Sequence, residues 1–374
     1  MAFGFGTPHF LGIDFGTGSI KAVELSLKNN QPVLVNYGQV YVNQSVGDDP
    51  AVSYEQQTID YLKTLQQNMK PESVSAYMAM PAFSGLIFFV ELPLMEESEL
   101  KEAVRFEARK YIPSSLDEIA LSWKVIGVVD TPDKGKQMEV LLVSALNKEI
   151  ARYERYAIET GLKIDTLELE TFSLTRSIVG NEKGVFLIID IGSRATNLIL
   201  VDNGIVKISR NLDTGGRDVT HVIQESLGVT NERAESLKKS GKNFFTSQGT
   251  SLSFLSLQSI GNEALRMLES YQVKHPETKC EKVFLSGGTA HFAGIVDYYT
   301  ELLHLPVVMG NPWQRIQYDS ALETQIQELG TSFSVAVGLA LAGVDALSAE
   351  KENTENPLMT KKKFSFKDIF TKKL

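Results

Sequence analysis

Apolar runs of strand length alternate with amphipathic segments along the chain, a pattern typical of α/β proteins. Two of these runs, residues 10–13 and 185–189, each end in an acid and a short Gly-containing loop, and a second strand follows each loop. Each second strand then ends in a turn sequence, Asn-Asn-Gln-Pro at 29–32 and Asp-Asn-Gly at 202–204. We therefore expect two related halves that face one cleft.

A separate unit interrupts the first half between residues 83 and 162. Its periodicity predicts strands over 86–92, 118–128 and 138–145 and helices over 96–111 and 148–160. This order of elements is that of a ferredoxin-like subdomain. The chain then divides into a first lobe (residues 9–82, 163–180 and 331–347), the insert (83–162), a second lobe (184–330), and a linker with a basic tail (348–374).

The C-terminal region combines an apolar helix with a basic tail. Residues 331–347 are apolar almost all round but too short and Gly-containing for a membrane span, so we expect this helix to pack between subdomains. Residues 348–359 have the composition of a linker. Six lysines over 361–373 are interspersed with aromatic residues, which suits an anionic membrane surface. A solvated terminus without fixed structure is the alternative.

The composition indicates a globular chain that can bury more than one core, since 43% of its 374 residues are apolar and 22% are charged. The formal net charge of −9 argues against a general nucleic-acid binder, which would present a basic face to phosphates. The single cysteine, Cys280, cannot form an intramolecular disulfide and fits a reducing compartment. We expect no signal peptide, because residues 1–9 contain no basic segment.

Three groups of loop residues have the chemistry that a nucleotide needs. Glycines let backbone N–H groups approach phosphate oxygens, hydroxyls and a lysine donate to them, and an acid can hold hydrated Mg²⁺. The first loop contributes Asp14, Gly16, Thr17, Gly18, Ser19 and Lys21, and the equivalent second loop contributes Asp190, Gly192, Ser193 and Thr196. The remaining candidates are Gly215 and Gly216 before a predicted helix, and Gly287, Gly288, Thr289 and Phe292 after the strand at 283–285.

These loops, taken in this order, resemble the actin-like ATPase superfamily, which includes sugar kinases, DnaK-type chaperones, MreB and FtsA. The resemblance implies an actin-like α/β fold with two lobes around a nucleotide cleft. It also implies ATP between the lobes, with its Mg²⁺ near Asp14 and Asp190 and its adenosine near Gly287 and Gly288.

Two further site assignments follow from the same resemblance. Glu170 stands at the end of a strand where such ATPases place the residue that orients the attacking water, although Thr171 replaces the proline usual in MreB-like proteins. A solvated acid without this role is the alternative for Glu170. Glu235 and Lys238 share a helix face and correspond to a ribose-binding pair, or else form a surface ion pair.

The insert carries a closer resemblance. Its first helix reads Leu-Lys-Glu-Ala-Val-Arg-Phe-Glu-Ala-Arg-Lys-Tyr-Ile-Pro over 100–113, followed by Asp-Glu at 117–118, and is similar to the type IV pilus assembly protein PilM family. The similarity extends from residue 11 to Trp313 and the closing helix. It implies a cytoplasmic scaffold, peripheral to the inner membrane, that is a monomer or weak dimer and hydrolyses ATP slowly at most.

The partners implied by this family are proteins of the inner-membrane pilus machine. The N-terminal cytoplasmic peptide of PilN would occupy a groove between the insert and the first lobe. The motif residues expected there are Glu107, Tyr111, Ile112 and Pro113. Other inner-membrane pilus components, and anionic lipid beside the basic tail, are further expected contacts.

Two other functional classes stay open from the sequence. An FtsA- or MreB-like filament protein is the nearer one, because FtsA also has an inserted subdomain and a basic amphipathic tail. A sugar or acyl kinase would need a catalytic Asp in the first lobe, and no convincing candidate is found there. The sequence contains no Walker Gly-x-x-x-x-Gly-Lys-Ser/Thr loop and no set of zinc ligands.

Overall fold

A computed structural model describes residues 7–42, 53–113, 115–131, 135–246 and 252–355. The strands are β1 (His9–Phe15), β2 (Ser19–Lys28), β3 (Gln31–Tyr41), β4 (Ser75–Met80), β5 (Gly85–Pro93), β6 (Ile119–Thr131), β7 (Gly135–Leu146), β8 (Lys163–Leu169), β9 (Val185–Ile191), β10 (Thr196–Asp202), β11 (Ile205–Leu212), β12 (Cys280–Ser286) and β13 (Val307–Met309). The α-helices are α1 (Tyr54–Met69), α2 (Glu97–Ala108), α3 (Asn147–Thr160), α4 (Glu170–Leu174), α5 (Gly216–Leu227), α6 (Asn231–Lys238), α7 (Leu255–Lys274), α8 (Ile295–Leu303), α9 (Glu323–Leu329) and α10 (Ser334–Glu355).

Two five-stranded sheets with the same connectivity form the two lobes. The first has the order β3-β2-β1-β4-β8 and the second the order β11-β10-β9-β12-β13. In each, the first three strands are antiparallel and the last two run parallel to the first. Both hairpins turn through positive-φ residues, Asn29 and Asn30 in one and Asn203 and Gly204 in the other, as a type I′ turn requires. The predicted internal duplication is therefore confirmed.

The insert is a three-stranded antiparallel sheet of order β5-β7-β6 with α2 on one face. Leu100, Val104 and Ala108 of α2 are buried in a separate apolar core shared with the three strands. The helix ends at Ala108, three residues before the predicted end, and the amides of Tyr111 and Ile112 both donate to the Ala108 carbonyl. The proline at position 113 disfavours helical backbone in the residue before it.

Helix α3 follows the predicted order of elements but packs against the first lobe. Tyr153 and Tyr156 belong to the first lobe's core, and the ring of Phe15 lies 5.2 Å from that of Tyr153. The Gln66 side chain on α1 donates to the Thr160 carbonyl at 3.2 Å. The insert's own core is therefore formed by β5, α2, β6 and β7, while Leu141, Val143 and Ala145 on the other face of β7 join the first lobe's core.

The closing helix α10 covers one face of the first sheet. A Cβ atom on Gly12 of β1 would lie 2.2 Å from the Ala336 carbonyl oxygen, so glycine permits this close approach. The helix begins three residues later than predicted, after a 3₁₀ turn over Gly330–Phe333, and runs on to Glu355. The predicted linker start at residue 348 was therefore wrong, because the helix continues through it. The lysine-rich tail at 361–373 lies outside the described residues.

One helical stretch in the described part of the chain is long and apolar enough to cross a membrane. It spans Ser320–Ala349, and 67% of its most apolar window is buried within the protein. Burial of this kind is typical of a core helix. The N-terminal end of α10 also reaches the second lobe, where Ser286 Oγ of β12 donates to Ser334 Oγ at 3.0 Å. The prediction that this helix packs between subdomains thus holds at that end.

Candidate functional site

Two aspartates occupy equivalent positions in the two lobes. Asp14 is the second-last residue of β1 and Asp190 the second-last residue of β9. Each is only 8% exposed. Each strand is the middle strand of its sheet, between an antiparallel and a parallel neighbour. The two carboxyl ends lie at the cleft between the lobes, where the negative charge of Asp14 helps to raise the pKa of Asp190.

The cross-strand partners of these aspartates differ. Lys21 of β2 lies opposite Asp14, with its Nζ 3.9 Å from Oδ2. Asn197 of β10 lies opposite Asp190. Burial raises the pKa of Asp14, and the Lys21 charge opposes that shift. Burial also raises the pKa of Asp190, to about 6, with Ser286 opposing the shift by a hydrogen bond and Asp14 reinforcing it by like charge.

Glu170 lies at the first position of α4, directly after β8, and its carboxylate reaches both lobes. Its Oε1 accepts a hydrogen bond from the Ala82 amide at 2.8 Å and another from Asn197 Nδ2 at 2.9 Å. Burial raises the pKa of Glu170 to about 8; the Ala82 amide opposes this, and Asp190 and Asp14 add to it. Glu170 is thus a neighbour of both aspartates and has the raised pKa of a group suited to proton transfer near neutral pH.

The acids fit a magnesium ion carried by phosphates better than an all-protein metal site. The described residues contain no group of three or more His, Cys, Asp or Glu side chains arranged to hold a metal. Mg²⁺ commonly keeps several waters and uses one or two carboxylates together with phosphate oxygens. Asp14 and Asp190, whose pKa values are raised chiefly by burial, would supply those carboxylates.

The two predicted phosphate loops approach each other at their tips. A Cβ atom on Gly18 would lie 3.2 Å from the Ser193 Cβ. Hydrogen bonds to residues 214–216 also fix the second loop. The Gly216 amide donates to the Gly192 carbonyl at 2.9 Å, and Thr196 Oγ1 donates to the Thr214 carbonyl at 2.7 Å. The Thr196 hydroxyl is thereby engaged within the protein.

The third candidate loop contains one glycine that packs and one that does not. Gly287 has φ +85°, and its Cβ would meet the Ile191 backbone at 2.4 Å. Gly288 has no atom within 4 Å of the place where a Cβ would stand, so its backbone borders open space. Phe292 is 2% exposed and packs on Phe244, Phe245 and Phe254. Its ring belongs to the second lobe's core and does not line the cleft.

Glu235 and Lys238 form an ion pair of 2.7 Å beside the glycines of α5. Lys238 is 9% exposed, and its Nζ also donates to the Gly216 carbonyl at 3.0 Å. Burial by itself would raise the pKa of Glu235, but the hydrogen bond and charge of Lys238 lower it to about 2. The Lys238 ammonium also lies near Gly216 and Thr289, because a Cβ on Gly216 would be 3.3 Å from Nζ and 2.2 Å from Thr289 Oγ1. Lys238 is therefore held inside the protein, while Glu235 stays partly exposed and also pairs with the exposed Lys239 at 3.1 Å.

A buried ion pair behind the site was not expected from the sequence. Arg176 donates to both oxygens of Glu168, at 2.7 and 2.9 Å, and also to the Gly338 carbonyl of α10 at 2.7 Å. Arg176 lies in the π-helical turn Thr175–Val179 that continues α4. The sequence does contain one indication of this ion pair, because Glu168 stands between two leucines of a buried strand. A charge in such a place needs a partner.

Comparisons with known proteins agree with this architecture. The family model of the type IV pilus assembly protein PilM matches residues 12–344. A solved PilM-PilN type IV pilus biogenesis complex is 24% identical, with 91% of this chain and 99% of that chain covered and a TM-score of 0.75. Lower values are found for the ethanolamine utilization protein EutJ from Carboxydothermus hydrogenoformans (15% identity, 90% of each chain, TM-score 0.48) and for ADP-bound MreB5 of Spiroplasma citri (14% identity, 93% of this chain and 99% of that chain, TM-score 0.46). The fold is the predicted actin-like one, and the chain belongs to the type IV pilus assembly protein PilM family.

Proposed function

We propose that this protein is an ATP-binding scaffold of the type IV pilus assembly machine, on the cytoplasmic face of the inner membrane, and that bound nucleotide sets the arrangement of its lobes. The observation that carries the proposal is the pairing of two equivalent hairpins, each with a buried aspartate just before its loop, at one cleft where the loops approach each other. Membership of the PilM family supports the pilus role.

In this proposal both hairpins bind the phosphates of ATP. Lys21 and the amides of the first loop bind phosphate oxygens, as do the amides around Ser193, and the open backbone at Gly288 takes the adenosine. Asp14 and Asp190 hold the water shell of Mg²⁺. The ion, when bound, neutralises phosphate charge. Glu170 accepts a proton from, or orients, the water that attacks the terminal phosphate. Its Oε1 already accepts hydrogen bonds from the Ala82 amide and Asn197, which leaves one carboxylate oxygen for that water.

Glu170 also links the cleft to the insert. Ala82, whose amide donates to Glu170, lies three residues before β5. A second link joins the insert to the other lobe, where Lys207 of β11 binds both oxygens of Glu139 on β7 at 3.0 and 3.1 Å and lies 5.1 Å from the Phe89 ring. A ligand that favours one arrangement of the lobes therefore affects the insert through these two contacts. It shifts the conformational equilibrium because it binds one arrangement more tightly than the other.

The proposed partner is the N-terminal cytoplasmic peptide of a PilN-type membrane protein, bound between the first lobe and the insert. The similar solved structure is a complex of PilM with PilN. Phe83 and Leu86, which lie where the chain passes from the first lobe into the insert, are 63% and 43% exposed, and Tyr111 is 50% exposed. Exposed apolar side chains at such a junction suit a peptide that docks by its own apolar residues.

The direct test measures this peptide by fluorescence anisotropy, with and without Mg·ATP. We expect binding to be tighter with Mg·ATP, and Phe83→Ala with Leu86→Ala to weaken it about tenfold, the loss typical of removing buried interface side chains. Val273→Ala, at an 82% exposed position on α7 of the second lobe, is the matched control. Equal binding by all forms would place the peptide elsewhere, and equal binding with and without nucleotide would remove the switching role.

Slow hydrolysis is tested separately, by steady-state phosphate release. We expect a rate well below the ~10 s⁻¹ of a median enzyme, and a further fall in Glu170→Ala with ATP affinity retained. Glu159→Ala, at an exposed position on α3, controls for loss of a carboxylate. An unchanged rate in Glu170→Ala would show that Glu170 only connects Ala82 to Asn197.

A further inference from the structure

A cleft of about 290 Å³ opens on the insert, beside the C-terminal half of α2 and the turn that leads into β6. It is lined by Arg105, Arg109, Ile112, Ser115, Leu116 and Asp117. On the other flank of α2, Tyr111 packs on Phe88 of β5, with ring centroids 5.0 Å apart. Since β5 and β6 are opposite edges of the insert's sheet, the cleft lies on the β6 side of the helix.

Two arginines of this cleft have no acidic partner. Arg105 and Arg109 are four residues apart on α2 and the turn after it, and so lie on one face. Neither forms an ion pair or a side-chain hydrogen bond with any residue in the described parts of the chain. Lys110, in the same region, does pair with Glu107, at 2.8 Å. Like charges at this spacing weaken a helix, so an anionic ligand would relieve an unfavourable contact.

We propose that this cleft binds a short acidic and aliphatic segment of a protein partner. Two guanidinium groups that line one cleft match carboxylates, because each can donate two parallel hydrogen bonds to one. Ile112, largely buried in the insert's core, and Leu116 contribute a smaller apolar part of the lining, which suits a leucine-type neighbour of the acid. Asp117 can accept a hydrogen bond from a peptide N–H group, a donor that a phosphate group does not have.

The charge around the cleft favours a peptide over an anionic lipid surface. Glu96, Glu99 and Glu102 are exposed on the N-terminal half of α2 and before it. A negatively charged bilayer that reached the two arginines would also meet these carboxylates and Asp117, and like charges repel. A single peptide strand can place its carboxylates against the arginines and an N–H group against Asp117, at a distance from the glutamates. The proposal depends neither on ATP binding nor on the PilN-type peptide.

The test uses the full chain and a fluorescein-labelled hexapeptide, Ser-Leu-Asp-Glu-Leu-Ser, in anisotropy titrations at low salt. We expect Arg105→Gln with Arg109→Gln to weaken binding at least tenfold, as loss of charge-assisted hydrogen bonds does. Arg105→Lys with Arg109→Lys should fall between this double variant and wild type, because charge is kept and the planar fork is lost. Lys101→Gln with Lys110→Gln removes the same charge from the same segment outside the cleft and should bind normally.

The peptide Ser-Leu-Asn-Gln-Leu-Ser and vesicles containing phosphatidylglycerol complete the experiment. Wild-type protein should prefer the acidic peptide, and its sedimentation with the vesicles should not depend on the two arginines. The proposal is overturned if the acidic peptide binds all four proteins equally or binds none of them. It is also overturned if the arginines control vesicle binding and leave peptide binding unchanged, since the ligand would then be a lipid headgroup. Equal thermal unfolding temperatures establish that the variants are folded.

Discussion

The two hairpins that meet at the cleft share a backbone plan and differ in one cross-strand partner. In the first, Asp14 faces Lys21, whose ammonium lies 3.9 Å away. In the second, Asp190 faces Asn197, whose amide donates to Glu170 and also lowers the pKa of Asp190 through a hydrogen bond. The first hairpin thus brings a positive charge to the cleft, and the second brings a neutral donor that holds the neighbouring acid in place.

This difference separates two tasks that a single symmetrical site would have to combine. A lysine beside a phosphate supplies charge, which strengthens binding of ATP with or without a metal. An asparagine beside Glu170 supplies direction, because its hydrogen bond fixes one carboxylate oxygen and leaves the other available. A lysine at position 197 would keep Glu170 ionised and paired, and a paired carboxylate is a poor proton acceptor.

The largest expected effect comes from removing either aspartate. Asp14→Ala and Asp190→Ala should each weaken Mg·ATP binding by about 10- to 100-fold, the range seen when groups that orient a bound metal are lost. Affinity for ATP in EDTA should change much less, because the lost contact is to the metal's water shell. Isothermal titration calorimetry measures both, with exposed Asp60→Ala as the control. Wild-type affinity in both variants would contradict the metal assignment.

Making the first hairpin resemble the second should have the next largest effect. Lys21→Asn should weaken ATP binding about tenfold, since a charge-assisted hydrogen bond to phosphate is replaced by a neutral one. The loss should persist in EDTA, unlike that in the aspartate variants. Lys28→Asn changes an exposed lysine at the far end of the same strand and should bind ATP normally. If both variants lost affinity equally, the effect would be general electrostatics and not a contact at the loop.

The raised pKa values of the two acids near the second hairpin predict a pH dependence of stability. A carboxyl whose pKa is higher in the native state binds its proton more tightly there, so its contribution to stability is complete below the unfolded pKa and is lost as pH rises through the native one. For Glu170 that loss should run from about pH 4.5 to 8, and for Asp190 it should end near pH 6.

Urea unfolding of the nucleotide-free protein at several pH values tests this. Glu170→Gln should remove roughly 1–3 kcal/mol of the wild-type decline between pH 5 and 8. Asp190→Asn should alter only the acidic part of that range. Parallel curves for wild type and Glu170→Gln would mean that Glu170 has an ordinary pKa and that the cleft is well hydrated.

The smallest expected effect tests the third loop. Gly288→Ala should leave the unfolding temperature unchanged, because its Cβ would meet no atom within 4 Å. It should still weaken ATP binding severalfold if adenosine lies against this backbone. Gly216→Ala is the contrasting variant: its Cβ would lie 2.2 Å from Thr289 Oγ1, so the unfolding temperature itself should fall. Unchanged ATP affinity in Gly288→Ala would move the adenosine site elsewhere.

The sequence predicted the duplicated strands and the positions of both aspartates because these depend on local pattern. An apolar run fixes a strand, and an acid at its end is then placed at the sheet's edge. Contacts between distant segments were not predictable in the same way. Phe292 points into the second lobe's core, and Asn197 and Ala82 both donate to Glu170. These contacts depend on how the lobes and the insert pack. The length of α10 was missed because residues 348–355 are mostly polar, and a polar sequence is equally compatible with a helix and a linker.

The placement of α10 has a consequence for how the chain folds as it is synthesised. One core cluster lies wholly within the second lobe and draws on residues from Val185 to Val307. The other extends from Phe10 to Val344 and joins the first lobe to one face of the second sheet, including Phe186 and Ile199. A nascent chain emerges from the ribosome N-terminus first, so the second lobe can complete its core while β1 and β2 still await the helix that covers them. The lobe encoded first therefore finishes last, and until then its sheet exposes an apolar face of the kind that chaperones bind.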